Sequence, residues 1–386
     1  VSKSVRDTMA TVLPVWLALL SISAVTGEQL LLVQSVCRHG QRIPTTTYPN
    51  DPYDEAFWGT PLGELTKKGM SQQFAQGKRM RKMYVEDNQF MSGKYSRYET
   101  YVFSSDMPRC SQSAQAYIAA FFTGSPTFPS GVNDWPSSWT PIPVHTVPLE
   151  DDYLTGSPLA CARLNRIANE QMKTRGFQDF LASNWKLFYI INANTGEEES
   201  YTFNTIADFY EILSVQRDNF NLTLPEWVTD DFYAKLVNAF EAGNDFTQGK
   251  AGFGLPLNSE IVKLSIGFLL NEWIGNINNV IDNSSTLKYT SYYAHDITVG
   301  SILIGLGVKD ELMGPASPDF ASTIVAELWE KEGSHFIKLL FSFNADTEFV
   351  PFTGMIAGCG SDLCPLSAFL QITEQFVATD PKVCDT

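Results

Sequence analysis

The sequence predicts an α/β protein: a mixed, mainly parallel central sheet flanked by helices, with a smaller, mostly helical cap inserted into it. Three observations predict this. An unbroken apolar run at residues 30–33 has the character of a strand buried on both faces, and the stretches at 100–104 and 287–293 also read as strands. Each leads through a short polar junction into a helical pattern, the alternation that builds α/β folds. Between about residues 150 and 257, by contrast, helical patterns follow one another without strong strand signals. The expected layout is a leader over 1–27, a first α/β part over 28–149, a helical insertion over 150–257 and a second α/β part over 258–386.

In chain order, Lys3 and Arg6 precede an apolar run from Val12 to Ile22, and small residues follow at Ala24 to Gly27. That is the order of a secretory signal, too short to span a bilayer as a stable helix. Met9 lies just before the run, so residues 1–8 read as leader and the mature chain is expected to begin near Glu28. The first strand ends in Val36-Cys37-Arg38-His39-Gly40-Gln41-Arg42-Ile43-Pro44, where Gly40 permits a tight turn and Pro44 stiffens the exit. Residues 48–60 read as a turn-rich loop at a pocket rim. Thr66 caps a helix carrying Met70, Phe74, Gly77, Met80 and Tyr84 at helical spacing. The Lys and Arg residues of that helix, Arg79 and Arg81 among them, read as a solvated face.

The second strand, 100–104, leads to Ser105-Asp106-Met107-Pro108-Arg109 and a helix holding Ala114, Ile118 and Phe121. Residues 139–148 read as a strand followed by a crossover. Helices are expected over 164–172, 203–213 and 225–240, and Ser259 as the N-cap of a helix with Ile261, Leu264 and Phe268 on one face. The third strand delivers Ala294-His295-Asp296 to a helix over 297–306. A hairpin over 324–343 turns at Glu332-Gly333-Ser334 and makes the sheet mixed. A last helix follows over 366–377.

Composition bounds the function. A chain of 386 residues with 44% hydrophobic and 18% charged residues can bury a substantial core. The net charge of −16 argues against nucleic acid as partner, and any anionic substrate must be drawn in by a local positive cluster. No further apolar stretch reaches membrane length. No H-E-x-x-H, close Asp/His metal set or Gly-rich phosphate loop occurs, so neither metal nor cofactor is expected. Six cysteines fit an oxidising compartment, and Cys359 and Cys364 are close enough to staple one turn. In a secreted chain, Asn221-Leu222-Thr223 and Asn283-Ser284-Ser285 are glycosylation sequons.

The chemistry concentrates after the first strand. Two guanidiniums so close repel each other unless an anion sits between them, and their planar forks match phosphate oxygens in pairs. The imidazole between them could serve as base, ligand or nucleophile. Arg38-His39-Gly40-x-Arg42-x-Pro44, with Ala294-His295-Asp296 far downstream, resembles the signature of the histidine acid phosphatases, branch 2 of the histidine phosphatase superfamily. The segment Ser104 to Arg109 resembles that family's S-x-D-x-x-R. The resemblance covers nearly everything after residue 28, and the flanks of the signature look most like the secreted nematode members.

The resemblance implies a secreted, metal-independent acid phosphatase of phosphoglycerate-mutase-like fold. His39 would be the nucleophile and Asp296 the proton donor, with Arg38, Arg42, Arg109 and His295 binding phosphate. It places Cys161 and Cys384 as partners of a long-range bridge. Cys37 and Cys110, where the family more often has an aromatic residue and a Thr, either pair or remain buried thiols. Substrates would be small phosphate monoesters or phosphorylated peptides, and a homodimer would be in keeping with the family. The implied location is extracellular, with a lysosome or an intestinal lumen as alternatives.

His145 in an apolar stretch reads as a satisfied buried imidazole and His335 as solvated. Gln41 and Pro108 stand where the family usually has Asp, and with Cys110 they leave open a weak or silent member that binds host or cell-surface ligands. A mutase-like isomerase sharing the R-H-G core is the other rival, against which the signal and the large insertion count.

Overall fold

The computed structural model describes residues 27–125, 127, 129, 131–136, 139–156 and 159–385. The expected signal over 1–27 therefore lies, Gly27 apart, outside the described residues.

Strand β1 (Gln29–Arg38) runs through the interior of one seven-stranded sheet. Its side chains alternate between two layers. Leu32 and Val36 join a cluster with Val262, Ile266 and Leu303, while Val33 and Cys37 join one with Met80, Tyr117 and Phe121. Burial on both faces is why the run is unbroken, and each fully buried aliphatic side chain contributes roughly 1.5–3 kcal/mol.

The chain continues through α1 (Glu55–Trp58), α2 (Lys67–Arg81), β2 (Thr100–Ser104) and α3 (Pro108–Phe121). Next come α4 (Ala162–Met172), α5 (Arg175–Ser183), α6 (Trp185–Thr195), α7 (Phe203–Ser214) and α8 (Asp230–Thr247). Then α9 (Ser259–Ile281), β3 (Tyr289–Ala294), α10 (Asp296–Gly305) and α11 (Lys309–Met313) lead into β4 (Thr323–Lys331) and β5 (Ser334–Ser342). The short strands β6 (Val350–Pro351) and β7 (Cys364–Pro365) and helix α12 (Leu366–Thr373) finish the chain.

The strand order is β2-β3-β1-β4-β5-β6, with β7 also beside β5. Helices α2 and α3 cover one face, α9, α10 and α12 the other. Helices α5 to α8 instead surround their own cluster, including Phe177, Phe188, Ile206, Leu213, Leu236 and Phe246.

Several expectations need correction. The sheet is mixed but not mainly parallel. Only the β2–β3 and β3–β1 pairs are parallel; β1–β4, β4–β5, β5–β6 and β5–β7 are antiparallel. After β3 the chain reverses through a hairpin, which forbids parallel pairing. Residues 139–148 form no strand, because Pro141, Pro143 and Pro148 lack the donors a ladder needs. A single bridge joins His145 to Phe103. His145 is exposed rather than buried, its ring stacked on Tyr101 at 4.8 Å.

Asn258, not Ser259, caps α9, accepting from Ile261 N. The helix expected over 225–240 starts only at Asp230, where Thr229 caps it. Arg79 and Arg81 are not merely solvated: they donate to the carbonyls of Asn344 at 3.1 Å and Phe121 at 2.9 Å.

Thr66 caps α2 through Gly69 N, as expected. Cys161–Cys384 and Cys359–Cys364 are bridged, while Cys37 and Cys110 are buried free thiols. Asn221 and Asn283 are both exposed. Among the described residues, no helix is long and apolar enough to cross a membrane.

Candidate active site

Because β2, β3 and β1 are adjacent and parallel, their carboxyl ends open on one edge, where ligands of open α/β sheets bind. Backbone hydrogen bonds lock the three junctions together. His39 N donates to Ala294 O at 3.1 Å, and Ser105 N donates to Tyr293 O at 3.0 Å. Gly40 is required for close approach, not for a left-handed turn. A Cβ there would lie 2.3 Å from the Gly69 carbonyl oxygen, and one on Gly69 would lie 2.1 Å from that of Gln41. Two bare backbones cross, which fixes the loop against the start of α2.

Arg38 ends β1, its Nη2 2.7 Å from Asp296 Oδ2 and its Nη1 donating to Pro318 O at 2.6 Å. Its guanidinium lies 4.3 Å from the Phe320 ring centroid. Arg42 pairs with Glu211 of α7, and that carboxylate also accepts from Thr45 N. Arg109 follows Pro108, which occupies the first helical position of α3, where a missing N–H costs nothing. All three Nε atoms are buried without a partner. His39 is 2% exposed, and its Nδ1 lies 2.9 Å from Gly40 O. His295 precedes α10, its ring centroid 5.7 Å from that of His39 and its Nε2 3.3 Å from Ser105 Oγ. Asp296 opens α10 and accepts from Ile297 N.

His39, Arg42, Arg109, His295 and Asp296 line a cavity of about 310 Å³. A second cavity of about 540 Å³ shares Arg42 and Asp296, adds Arg38, and extends along α7 and residues 316–320. All six expected polar residues thus converge. With this constellation in place, residues 29–342 also match the family model of the histidine phosphatase superfamily (branch 2).

The chain belongs to the histidine phosphatase superfamily, branch 2. It is 30% identical over 359 residues to prostatic acid phosphatase of Bos taurus, covering 92% of this chain and 87% of the relative. To lysosomal acid phosphatase of Homo sapiens it is 31% identical over 357 residues, 92% of this chain and 79% of the relative. The phytase of Klebsiella sp ASR1 shares the fold at TM-score 0.61 and 16% identity, over 92% of this chain and 99% of that one. Hafnia alvei phytase in complex with tartrate does so at TM-score 0.63 and 14% identity, over 91% and 98%. This histidine phosphatase is accordingly a phosphatase-type hydrolase.

The charges shift the titrating groups. Burial first, then Arg38, Arg42, Arg109 and His295, hold His39 well below the ordinary imidazole range. Burial and Arg109 likewise push His295 down. Burial works against the Asp296 carboxylate, but Arg38, Arg42 and His295 outweigh it and hold the group below its usual value. The thiols are opposite cases: burial pushes Cys37 up to about 11 and Cys110 up to about 12, so the neighbouring arginines do not activate them.

Three partners of the site carried no signal in the sequence. Glu211 sits in an ordinary helical pattern, and Phe320 follows a plain loop. Asp152 is fully buried and accepts from Thr155 N at 3.0 Å; the Ser105 hydroxyl, 3.3 Å from His295 Nε2, is among the groups that lower its carboxyl and so lies between the two. The departures at Gln41 and Pro108 line neither cavity. Gln41 accepts from the Thr66 hydroxyl at 3.0 Å and donates to Asn219 O at 3.4 Å, a double role an Asp cannot fill.

Proposed function

We propose that the chain is a secreted acid phosphatase that hydrolyses phosphate monoesters through a phosphohistidine at His39, without a metal. The observation that carries this is the hydrogen bond from His39 to Gly40. A carbonyl only accepts, so Nδ1 holds the hydrogen and the lone pair is left on Nε2. Because the ring stays neutral far below the ordinary imidazole range, it remains a nucleophile in acid, where an unperturbed histidine is protonated.

Nε2 attacks phosphorus as the ester P–O bond breaks, and Asp296 gives its proton to the departing oxygen. Arg38, Arg42, Arg109 and His295 hold the phosphoryl oxygens and the charge that develops on them. Arg38 and Arg42 keep the Asp296 carboxyl low. A phosphoryl dianion between them offsets that charge and raises the carboxyl, the direction a proton donor needs. Water then attacks the phosphohistidine and Asp296 takes its proton.

The cysteine bridges, the exposed sequon asparagines and the amino-terminal pattern support export and glycosylation at Asn221 and Asn283. The compartment is extracellular or, alternatively, lysosomal or an intestinal lumen. Helices within 150–257 act as a cap over the site, since Glu211 of α7 reaches Arg42. The test is phosphate release from an aryl phosphate at acidic pH in excess chelator, with trapping of the phosphoenzyme. Activity abolished by EDTA and restored by Zn²⁺ or Mg²⁺ would overturn the metal-free reading. A His39→Ala variant that turns over normally would overturn the nucleophile.

A further inference from the structure

We propose that this site prefers phosphate esters whose leaving group carries a positive charge, in particular small amino-alcohol phosphates bearing an ammonium group. The inference rests on the phosphatase reading and concerns the leaving-group side of the same site. The 540 Å³ cavity meets the phosphate-binding cavity at Arg42 and Asp296. Its floor holds Arg38 and Arg42, each more than nine-tenths buried with an unpartnered Nε, which marks where the anionic end of a ligand sits.

Away from that floor the charge changes sign. Five carboxylates line the cavity, those of Asp208, Glu211, Asp218, Asp296 and Asp319, against two guanidiniums. Asp296 is tied to Arg38 and Glu211 to Arg42. The three left over belong to exposed residues on α7, just beyond it and on the loop before β4. Among the described residues, Asp319 accepts only from Phe320 N and the Asn344 amide, and Asp218 only from the Tyr233 hydroxyl at the short end, with Arg217 at 3.8 Å. Asp208 lies close enough to Glu211 and Glu197 that burial and both charges raise its carboxyl. The lining contains no lysine or histidine. It does contain Tyr210 and Phe240, stacked with ring centroids 3.8 Å apart, which add aromatic surface of the kind that attracts quaternary ammonium groups.

A dianion seated on Arg38 and Arg42 makes the outer cavity more negative still. A second anionic group on the substrate then meets repulsion and an ammonium group meets attraction.

The experiment compares choline phosphate with 3,3-dimethylbutyl phosphate, which has the same shape without the charge, at low salt and at the upper end of the pH range in which the enzyme turns over, where the raised Asp208 carboxyl is also ionised. For the unaltered enzyme kcat/KM should favour the cationic ester roughly tenfold, the yield of several partly exposed charge contacts. In Asp208→Asn/Asp218→Asn/Asp319→Asn the ratio should fall towards one, while the neutral ester is hydrolysed at a rate within about twofold of normal, which reports an intact phosphoryl site. Hydrolysis of myo-inositol hexakisphosphate should be slow and should rise in the same variant. Equal kcat/KM for the two esters in the unaltered enzyme, or an unchanged ratio in the variant, overturns the charge preference alone. No phosphate release from either ester overturns the phosphatase reading and this inference with it.

Discussion

Glu211 offers the sharpest test of how the phosphate site works. Its carboxylate engages Nη1 of Arg42, so it competes with an incoming phosphoryl group for that guanidinium. Arg42 is 7% exposed and Glu211 keeps a side-chain exposure of 20%, so the pair is partly desolvated rather than buried outright. Such a charged hydrogen bond contributes about 1–2 kcal/mol net, less than the loss seen when a fully buried pair is broken.

Glu211→Gln should therefore release that amount to the ligand. Inorganic phosphate, measured as a competitive inhibitor of aryl phosphate hydrolysis, should bind roughly tenfold more tightly, since 1.4 kcal/mol is a factor of ten. The ligand-free variant should melt about 1–3 °C lower, because Arg42 then faces Arg38 and Arg109 without a partner. Saturating phosphate should close most of that gap. An inhibition constant that is unchanged or weaker, with an unchanged melting temperature, would refute the reasoning and make Glu211 an orienting partner of Arg42.

Asp296→Asn should slow phosphorylation of His39 by alkyl phosphates by ~10²–10⁴-fold and by nitrophenyl phosphate far less, since only the alkoxide needs a proton to leave; equal losses in single-turnover assays would assign Asp296 to positioning. His39 is held neutral in the folded chain but titrates near 6.5 when unfolded, so the unfolded state binds more protons below that pH. Its contribution is present above pH 6.5 and lost on acidification, at about 1.4 kcal/mol per pH unit, and His39→Gln should flatten the fall by one proton's slope in urea titrations at pH 7, 6 and 5. Cys37 and Cys110, with their thiols pushed up by burial, should label with iodoacetamide only after unfolding; labelling of the folded protein at neutral pH would show the pockets open. Asp152→Asn should disturb His295 through Ser105, raising KM for aryl and alkyl phosphates alike, and parallel loss for both would separate it from the leaving-group effect of Asp296.

The chain order alone determined much of this. The unbroken apolar run at 30–33 marks a strand buried on both faces, because burial on two sides leaves no polar alternation, and the aromatic-rich stretches at 100–104 and 287–293 read as strands beside it. The polar residues after each strand gather on one edge, since parallel neighbours open their carboxyl ends together; that Arg38, His39, Arg42, Arg109, His295 and Asp296 stand out among them was legible only through the resemblance of their motifs to the histidine acid phosphatases. Proline and cap chemistry are local too, as Thr66 shows. Tertiary structure decided what depends on distant partners. The antiparallel half of the sheet follows from where the hairpin docks, and residues 139–148 have strand-like apolarity but too few donors. Asn258 outcompeted Ser259 because cap geometry is settled by backbone angles that no spacing reveals. Gly40 looks like a turn residue, yet its need arises from Gly69 crossing it. Glu211, Asp152 and Phe320 reach the site through folding of segments far away in the chain, and charge or aromaticity at a single position carries no record of what it will face.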